Sequence, residues 1–236
     1  MTTDAVAPRQ RWQILYSRTE PALRLRQQDI LAEFQRVLTE AELPISQTAA
    51  KRPRPRLRLA AVAPANLELR ADVIEVWFDE LVPRDRLVTA GEALADGLAI
   101  VDAREVWHGF PSAASQVRGG EYEVEARTPE GTTEDGLRSA IVQLLASPSL
   151  PGQRRRGETE RRSDTDDRDL RPYVEDLELL GFDASKKVVR LRMQLRLDPS
   201  GAGRPLDVVD ALDQGLTVTR TVRDRLLFVD TPPVAR

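Results

Sequence analysis

Five cations stand within eight residues in the first half of the chain, and this run is the clearest indication of a ligand. The cations are Lys51, Arg52, Arg54, Arg56 and Arg58, with two prolines between them. Prolines disfavour a helix and favour an extended, polyproline II-like chain, in which successive cations can each meet a phosphate group. The run predicts a binding site for RNA or for a protein partner, and a solvated loop without a ligand is the alternative.

A second group of cations lies in a long polar segment at about 147–169. It contains Arg154, Arg155 and Arg156, but acidic residues are interleaved with the basic ones, which weakens the prediction of a phosphate clamp. A loop of this length is usually either functional or disordered. Arg36 and Arg171 complete the basic part of the candidate set of RNA- or partner-binding residues.

Asp29 is the one acidic residue that we include in this candidate set. In a helix that starts near Pro21 it lies two turns in, with Arg26 one turn before it. The ordinary interpretation is a solvated ion pair on a helix surface. The functional alternative is that Asp29 faces the basic run and orients Arg52 or Arg54.

Most catalytic arrangements are excluded by two counts. Cysteine is absent and His108, expected at the surface end of a strand, is the single histidine. A zinc site with thiolate ligands or with two histidines is therefore impossible, and a Ser-His-Asp triad would have to use His108. The chain also contains neither a P-loop nor a GxGxxG motif. We predict no catalytic residue, no metal and no cofactor. These absences favour a binding protein over an enzyme.

Composition places the chain among ordinary globular proteins. It has 236 residues with 35 basic and 38 acidic side chains, so its net charge of −3 gives no overall attraction to nucleic acid. No apolar run approaches the roughly 18 residues of a membrane span. Residues 1–10 lack the apolar core of a signal peptide. These features predict a cytoplasmic protein without a membrane partner.

Hydrophobic periodicity predicts the same order of elements twice. In the first half we expect strands at 11–17, 57–61, 72–80 and 98–107, and helices at 21–43 and 84–95. In the second half we expect strands at 122–126, 173–180, 189–197 and 216–229, and helices at 133–146 and 205–212. Each half reads β-α-β-β-α-β, which is the order of a ferredoxin-like domain. The prediction is an α+β protein with two tandem ferredoxin-like domains, at 10–112 and 119–230, the second with the long polar loop.

The open faces of the two predicted sheets differ in character. In the second, glutamates of the first strand should face arginines of the third strand, which predicts cross-strand ion pairs more readily than a basic platform. In the first, Trp77 is the one aromatic candidate for stacking a base. Its neighbours Glu75 and Asp79 would repel phosphate, so we expect the basic loops to carry any RNA.

The order and spacing of short segments suggest a family. The segments are 29–38, Leu43-Pro44, Arg52-Pro53-Arg54-Pro55-Arg56-Leu57, Asp96-Gly97-Leu98, Glu121-Tyr122, Asp169-Leu170-Arg171-Pro172-Tyr173-Val174, Pro205, 208–212 and Arg220-Thr221. With these, the chain resembles the bacterial radical SAM-linked protein family, a domain of unknown function, from about residue 11 to residue 229. The chain departs from the family pattern at two places. The family has a histidine shortly before the position of Asp29, where this chain has Gln27, and a glycine and a phenylalanine before the position of Pro53, where this chain has Ala50 and Lys51.

The resemblance implies a partner. Members of that family are encoded beside, or fused to, a B12-binding radical SAM protein, in neighbourhoods linked to RNA processing. A radical SAM enzyme needs three cysteines for its iron–sulfur cluster, and this chain has none. The resemblance thus implies a non-catalytic accessory or substrate-presenting protein, associated with RNA through basic loops. Two alternatives remain: an RNA-modifying or RNA-processing enzyme that uses carboxylate and arginine residues, and a scaffold kept only for protein contacts.

Overall fold

The computed structural model describes residues 8–151, 169–198 and 201–229, and within them the protein is α+β. The strands are β1 (Gln10–Arg18), β2 (Leu57–Leu59), β3 (Glu68–Phe78), β4 (Leu98–Glu105), β5 (Val117–Arg127), β6 (Val174–Asp183), β7 (Val188–Asp198), β8 (Gly201–Ala202) and β9 (Thr217–Phe228). The α-helices are α1 (Gln27–Glu40), α2 (Arg84–Gly91), α3 (Ala113–Gln116), α4 (Glu134–Ala146) and α5 (Pro205–Ala211). The polar segment 152–168, with Arg154, Arg155 and Arg156, lies outside the described residues.

The chain divides into two compact units. The first comprises Met1–Val117 and Arg223–Arg236, and the second comprises Arg118–Val222. Strand β9 is divided between them, since its residues up to Val222 belong to the second unit and those from Arg223 onward to the first.

The first unit contains an antiparallel sheet in which β1 lies between β4 and β3, and β2 pairs with the other edge of β3. Ile14 of β1 faces Ile74 of β3 and Ala103 of β4, and all three are buried. Tyr16, on the same face, meets Phe34 of α1 edge to face with ring centroids 5.5 Å apart. Because side chains alternate along a strand, this face forms the core and leaves Arg11 and its alternate neighbours on the opposite face.

The second unit repeats this order with its own strands. Strand β5 lies between β9 and β7, and β6 pairs with the other edge of β7. Tyr122 and Val124 of β5 face Met193 and Leu191 of β7, and these side chains are buried. Helix α4 contributes Leu137, Ile141 and Leu144 to the buried side chains of the unit.

The first helix starts later than the sequence predicts. Pro21 is followed by a short 3-10 turn over Ala22–Arg24, and α1 begins only at Gln27. Ala22 and Leu23 are nevertheless buried, so the apolar spacing that suggested one long helix is satisfied by a turn followed by a helix. The consequence is that Asp29 lies in the first turn of α1 and not two turns inside it.

The second helix is shorter than the predicted 84–95, because α2 ends at Gly91. Gly97 does adopt the left-handed conformation, with φ of +85°, and its carbonyl accepts a hydrogen bond of 2.8 Å from the Thr19 amide. A Cβ at this position would lie 2.6 Å from the Thr19 carbonyl oxygen. The glycine is therefore required for the close approach of the β1 end to the start of β4.

Candidate nucleic-acid interface

The basic run lies in a short hairpin, which we call the cationic hairpin (residues 45–58). Gln47 and Pro55 form an isolated antiparallel bridge, and the Arg56 amide donates to the Ser46 carbonyl at 2.8 Å. The turn is closed by Thr48, whose amide donates to the Arg54 carbonyl at 2.8 Å and whose hydroxyl accepts from the Arg54 amide at 3.0 Å. The chain bends over residues 49–52, and from Pro53 onward it continues without helix into β2, in keeping with the prediction that the prolines disfavour a helix.

The cations of the hairpin have no acidic partners among the described residues. Lys51, Arg52 and Arg54 are exposed at the tip, and Arg58 is exposed on β2 opposite Glu75. None of these four forms an ion pair within the part of the chain that the structure describes. Their positive charge is therefore available to a ligand, whereas the exposed arginines Arg36, Arg84, Arg138 and Arg196 are paired with carboxylates.

Trp77 lies beside the base of the cationic hairpin. The guanidinium carbon of Arg56 is 5.0 Å from the centroid of the Trp77 ring, and that of Arg11 is 5.3 Å from it. Both distances are in the range of cation–π attraction. The contacts connect the hairpin to the face of the first sheet that points away from Ile14 and the core.

Of the two acids beside Trp77, Glu75 has its charge compensated within the protein. The Glu75 side chain is buried and forms an ion pair with Arg11, and its Oε1 also accepts from Gln13 Nε2 at 3.1 Å. Asp79 accepts a hydrogen bond from the Ser46 hydroxyl. The expected repulsion of phosphate from this face was thus overestimated, because the Glu75 charge is compensated and removed from solvent.

The segment after β4 brings two further aromatic side chains to the surface of this unit. Trp107 is 74% exposed and Phe110 is 56% exposed, with His108 exposed between them. Arg11 holds the segment through its guanidinium, which donates to the Phe110 carbonyl at 2.7 Å and to the Pro111 carbonyl at 2.9 Å. Sequence reasoning missed these residues; two aromatics within four positions around a glycine, just after a strand, were the available signal.

Asp29 caps α1 from within the first turn of this helix. Its carboxylate Oδ2 accepts a hydrogen bond of 2.9 Å from the backbone amide of Arg26, the N-cap residue of α1. This is the acidic half of a capping box. The geometry gives Asp29 a role in helix initiation, and no hydrogen bond or ion pair joins it to Arg52 or Arg54 among the described residues.

We expect Asp29→Ala to lower the free energy of unfolding by about 1 kcal/mol, because α1 loses a cap for an otherwise unpaired amide. Chemical denaturation followed by circular dichroism measures the change. Asp29→Asn is the matched control, since its side-chain oxygen has the same reach and retains an acceptor for the Arg26 amide. A loss of RNA binding without a loss of stability would contradict the capping role.

Arg36 and Arg171 are engaged within the protein. Arg36 forms ion pairs of 2.6 Å with Glu33 and with Glu40, and it donates to the Ala93 carbonyl at 2.8 Å. Hydrogen bonding to Arg36 holds the pKa of Glu33 below its ordinary value. These contacts join α1 to the segment after α2, so Arg36 has a structural explanation that needs no ligand.

Arg171 belongs to the Asp-Leu-Arg-Pro element, which braces the end of α4. The guanidinium donates to the carbonyls of Leu145 at 3.0 Å, Ser147 at 3.2 Å and Val174 at 2.7 Å. Asp169 accepts from the amides of Leu150 and Arg171, and these bonds lower its pKa. These bonds join Leu150 to Asp169 within the second unit.

Opposite charges face each other between β5 and β7 of the second unit, as the sequence predicts. Glu123 lies opposite Arg192, and Glu125 lies opposite Arg190, in the register of β5 with β7. Arg192 forms its ion pair with Glu178 on the other neighbouring strand. This face is therefore a mixed network of charges and not a basic platform.

Two classes of site find no support among the described residues. No three histidine or acidic side chains lie close enough together there to hold a metal ion. None of the described helices is both long and apolar enough to cross a membrane; α1 has 14 residues.

Comparison with known proteins identifies a family and a related fold. No curated protein matches the chain. The crystal structure of a Cbf5-Nop10-Gar1 complex matches 91% of this chain and 48% of that chain, with 11% identity and a TM-score of 0.52. A structure of an H/ACA RNP bound to a substrate RNA containing 2'-deoxyuridine matches 90% and 47%, with 10% identity and a TM-score of 0.49. The chain thus spans about half the length of these solved chains, and at such identities the likeness concerns the fold alone.

A family model described as an uncharacterized protein conserved in bacteria (DUF2344) matches residues 11–205. The match covers both compact units, from β1 to the start of α5. The chain belongs to this bacterial family.

Proposed function

We propose that this protein is a non-catalytic, RNA-associated accessory protein of a radical SAM enzyme, built from two tandem ferredoxin-like domains at 10–112 and 119–230. The order of strands supports the domain assignment, because in each unit the fourth strand pairs with the first and the third lies between the first and the second. The pairs β1–β3, β1–β4, β2–β3, β5–β7 and β6–β7 are antiparallel, as in the ferredoxin-like order.

The observation that carries the RNA assignment is the cationic hairpin. Lys51, Arg52, Arg54 and Arg58 are exposed, carry no acidic partner among the described residues, and project from a chain whose net charge is −3. A local concentration of unpaired cations on an otherwise acidic protein binds a polyanion through release of its counterions. RNA fits this site better than an acidic protein surface because Trp77 and two exposed aromatics lie in the same unit.

The accessory role is supported by the structural contacts of Asp29 and Arg36, the kinds of residue that the alternative enzymatic function would use. Asp29, the acid on which an enzymatic role would rest, caps α1, and Arg36 is bound by two glutamates. The radical SAM partner rests on the family resemblance described above. Because the chain contains no cysteine, such a partner would supply the iron–sulfur cluster and this protein would hold or present the RNA.

The salt dependence of RNA binding tests the proposal. We expect single-stranded RNA to bind, and the variant with Lys51, Arg52, Arg54 and Arg58 changed to Gln to flatten the slope of log K against log salt by up to about 3, at about 0.7 for each phosphate contact. Fluorescence anisotropy with a labelled oligoribonucleotide at several salt concentrations measures both slopes.

The matched control removes four charges that already have partners, by changing Arg84, Arg138, Lys186 and Lys187 to Gln. This variant should retain the slope of the unmodified protein. Equal slopes for the two variants would refute the hairpin as the RNA site. Separately, affinity purification of the native chain from its bacterium should recover a radical SAM protein; recovery of RNA alone would leave the RNA assignment and remove the partner.

A further inference from the structure

We infer that the turn at residues 107–111, which we call the aromatic turn, is a base-stacking platform that makes this protein selective for single-stranded RNA. The inference rests on the proposed function and specifies its substrate class. Trp107 and Phe110 are large apolar side chains, 74% and 56% exposed, in one turn of four residues. Exposed apolar side chains that lie together in one turn are more typical of a binding site than isolated ones.

The aromatic turn is anchored, so its rings are held ready for a ligand. The Phe110 amide donates to the Trp107 carbonyl at 3.0 Å and closes the turn. The Trp107 ring packs directly on Gly109, where a Cβ would lie 2.2 Å from ring atom Cη2. Arg11, itself 2% exposed, holds the Phe110 and Pro111 carbonyls. A ring held in place loses little conformational freedom when a base stacks on it.

The anchor of the aromatic turn is also a neighbour of the cationic hairpin. Arg11 contacts the Phe110 carbonyl on one side and lies over the Trp77 ring on the other, and Arg56 of the hairpin lies over the same ring. A continuous chain of contacts thus leads from the cations to the aromatic turn within the first unit. Phosphates at the hairpin would place the bases of the same strand near Trp107 and Phe110.

This arrangement distinguishes a single strand from a duplex. The bases of a single strand can turn away from one another and stack on aromatic side chains, whereas those of a duplex are already stacked and paired. Arginines and lysines bind the phosphates of both forms. The cationic hairpin therefore supplies affinity for RNA in general, and the aromatic turn supplies the preference for unpaired bases.

The test compares an oligoadenylate with an RNA duplex of the same length. We expect the double variant Trp107→Ala/Phe110→Ala to bind the oligoadenylate about 10- to 100-fold more weakly, since stacking on each ring contributes to binding, with duplex binding and the salt slope unchanged. Trp107→Phe should retain most of the affinity but lose most of the quenching of tryptophan fluorescence by the oligoadenylate. Leu81→Ala/Val101→Ala, which removes two other exposed apolar side chains of the same unit, is the control.

Each other outcome overturns the inference in a distinguishable way. If the double variant binds the oligoadenylate normally while the hairpin variant does not, the stacking platform is refuted and the RNA assignment stands. If neither RNA binds the unmodified protein, both proposals fail. If the double variant keeps its RNA affinity but no longer co-purifies with a protein partner, the aromatic turn is a protein-docking surface. Circular dichroism spectra and thermal melting exclude misfolding as the cause of any loss.

Discussion

Replacing Asp72 by asparagine is expected to lower the free energy of unfolding by about 3–5 kcal/mol, although the two side chains have nearly the same shape. Asp72 and Arg223 form a bidentate ion pair in which each side chain is 1% exposed, with Arg223 Nε 2.9 Å from Asp72 Oδ1. The asparagine variant removes one charge and leaves the guanidinium buried without its counter-charge. The pair joins β3 to the C-terminal part of β9 within the first unit. We therefore expect the C-terminal part of β9 to detach from β3 first when the variant unfolds.

Two further variants show whether the loss of stability comes from the buried uncompensated charge or from the loss of the ion pair itself. Asp72→Leu/Arg223→Met removes both charges and should be nearly as stable as the unmodified protein, because a buried ion pair and a well-packed apolar pair are of similar stability. Arg70→Gln breaks the exposed pair of Arg70 with Asp224 and should cost less than about 1 kcal/mol. Urea denaturation followed by fluorescence measures all three. An asparagine variant no less stable than Arg70→Gln would contradict the argument.

Arg11→Met should have the second largest effect, and it should reduce both stability and RNA binding. The Glu75 carboxylate would remain buried without its guanidinium, and its Oε2 already lacks a hydrogen-bond partner among the described residues. We expect a loss of about 3–5 kcal/mol. The aromatic turn would also lose the two hydrogen bonds that hold the Phe110 and Pro111 carbonyls.

The matched variant is Glu75→Gln. It also destabilises the protein, because it leaves the Arg11 charge buried, but it retains the hydrogen bonds from Arg11 to the aromatic turn. Binding of the oligoadenylate at a temperature where both variants are folded should therefore fall for Arg11→Met and persist for Glu75→Gln. Equal binding by the two variants would show that Arg11 does not position the turn.

The candidate site was predictable only in part. Features that depend on neighbouring residues could be predicted, whereas contacts between residues far apart in the chain could not. The cations of residues 51–58 were recognisable because charge density is a property of neighbouring residues. The shape of their loop was not, because a single hydroxyl, that of Thr48, decides where the chain turns. Arg11 was overlooked, since its partners Glu75 and Phe110 are 64 and 99 residues away in the chain.

The misassignment of Asp29 has a similar cause at shorter range. Apolar spacing is nearly the same for a 3-10 turn followed by a helix as for one continuous helix, so the helix start was placed too early. Whether an aspartate caps a helix or lies on its surface depends on a shift of one or two turns. Only the backbone conformation at Arg26, extended with ψ of 166°, shows where α1 begins.

By itself the sequence determined the α+β class, the order of the elements in each half, and the opposition of glutamates and arginines across the second sheet. These follow from periodicity and alternation, which act between near neighbours and need no knowledge of the rest of the chain. The tertiary structure decided which charges are cancelled and which remain. Burial and contacts with residues distant in the chain compensate the charge of Glu75 through Arg11 and bind Arg171 to the Leu145 carbonyl, and they leave the tip of the cationic hairpin without acidic partners among the described residues.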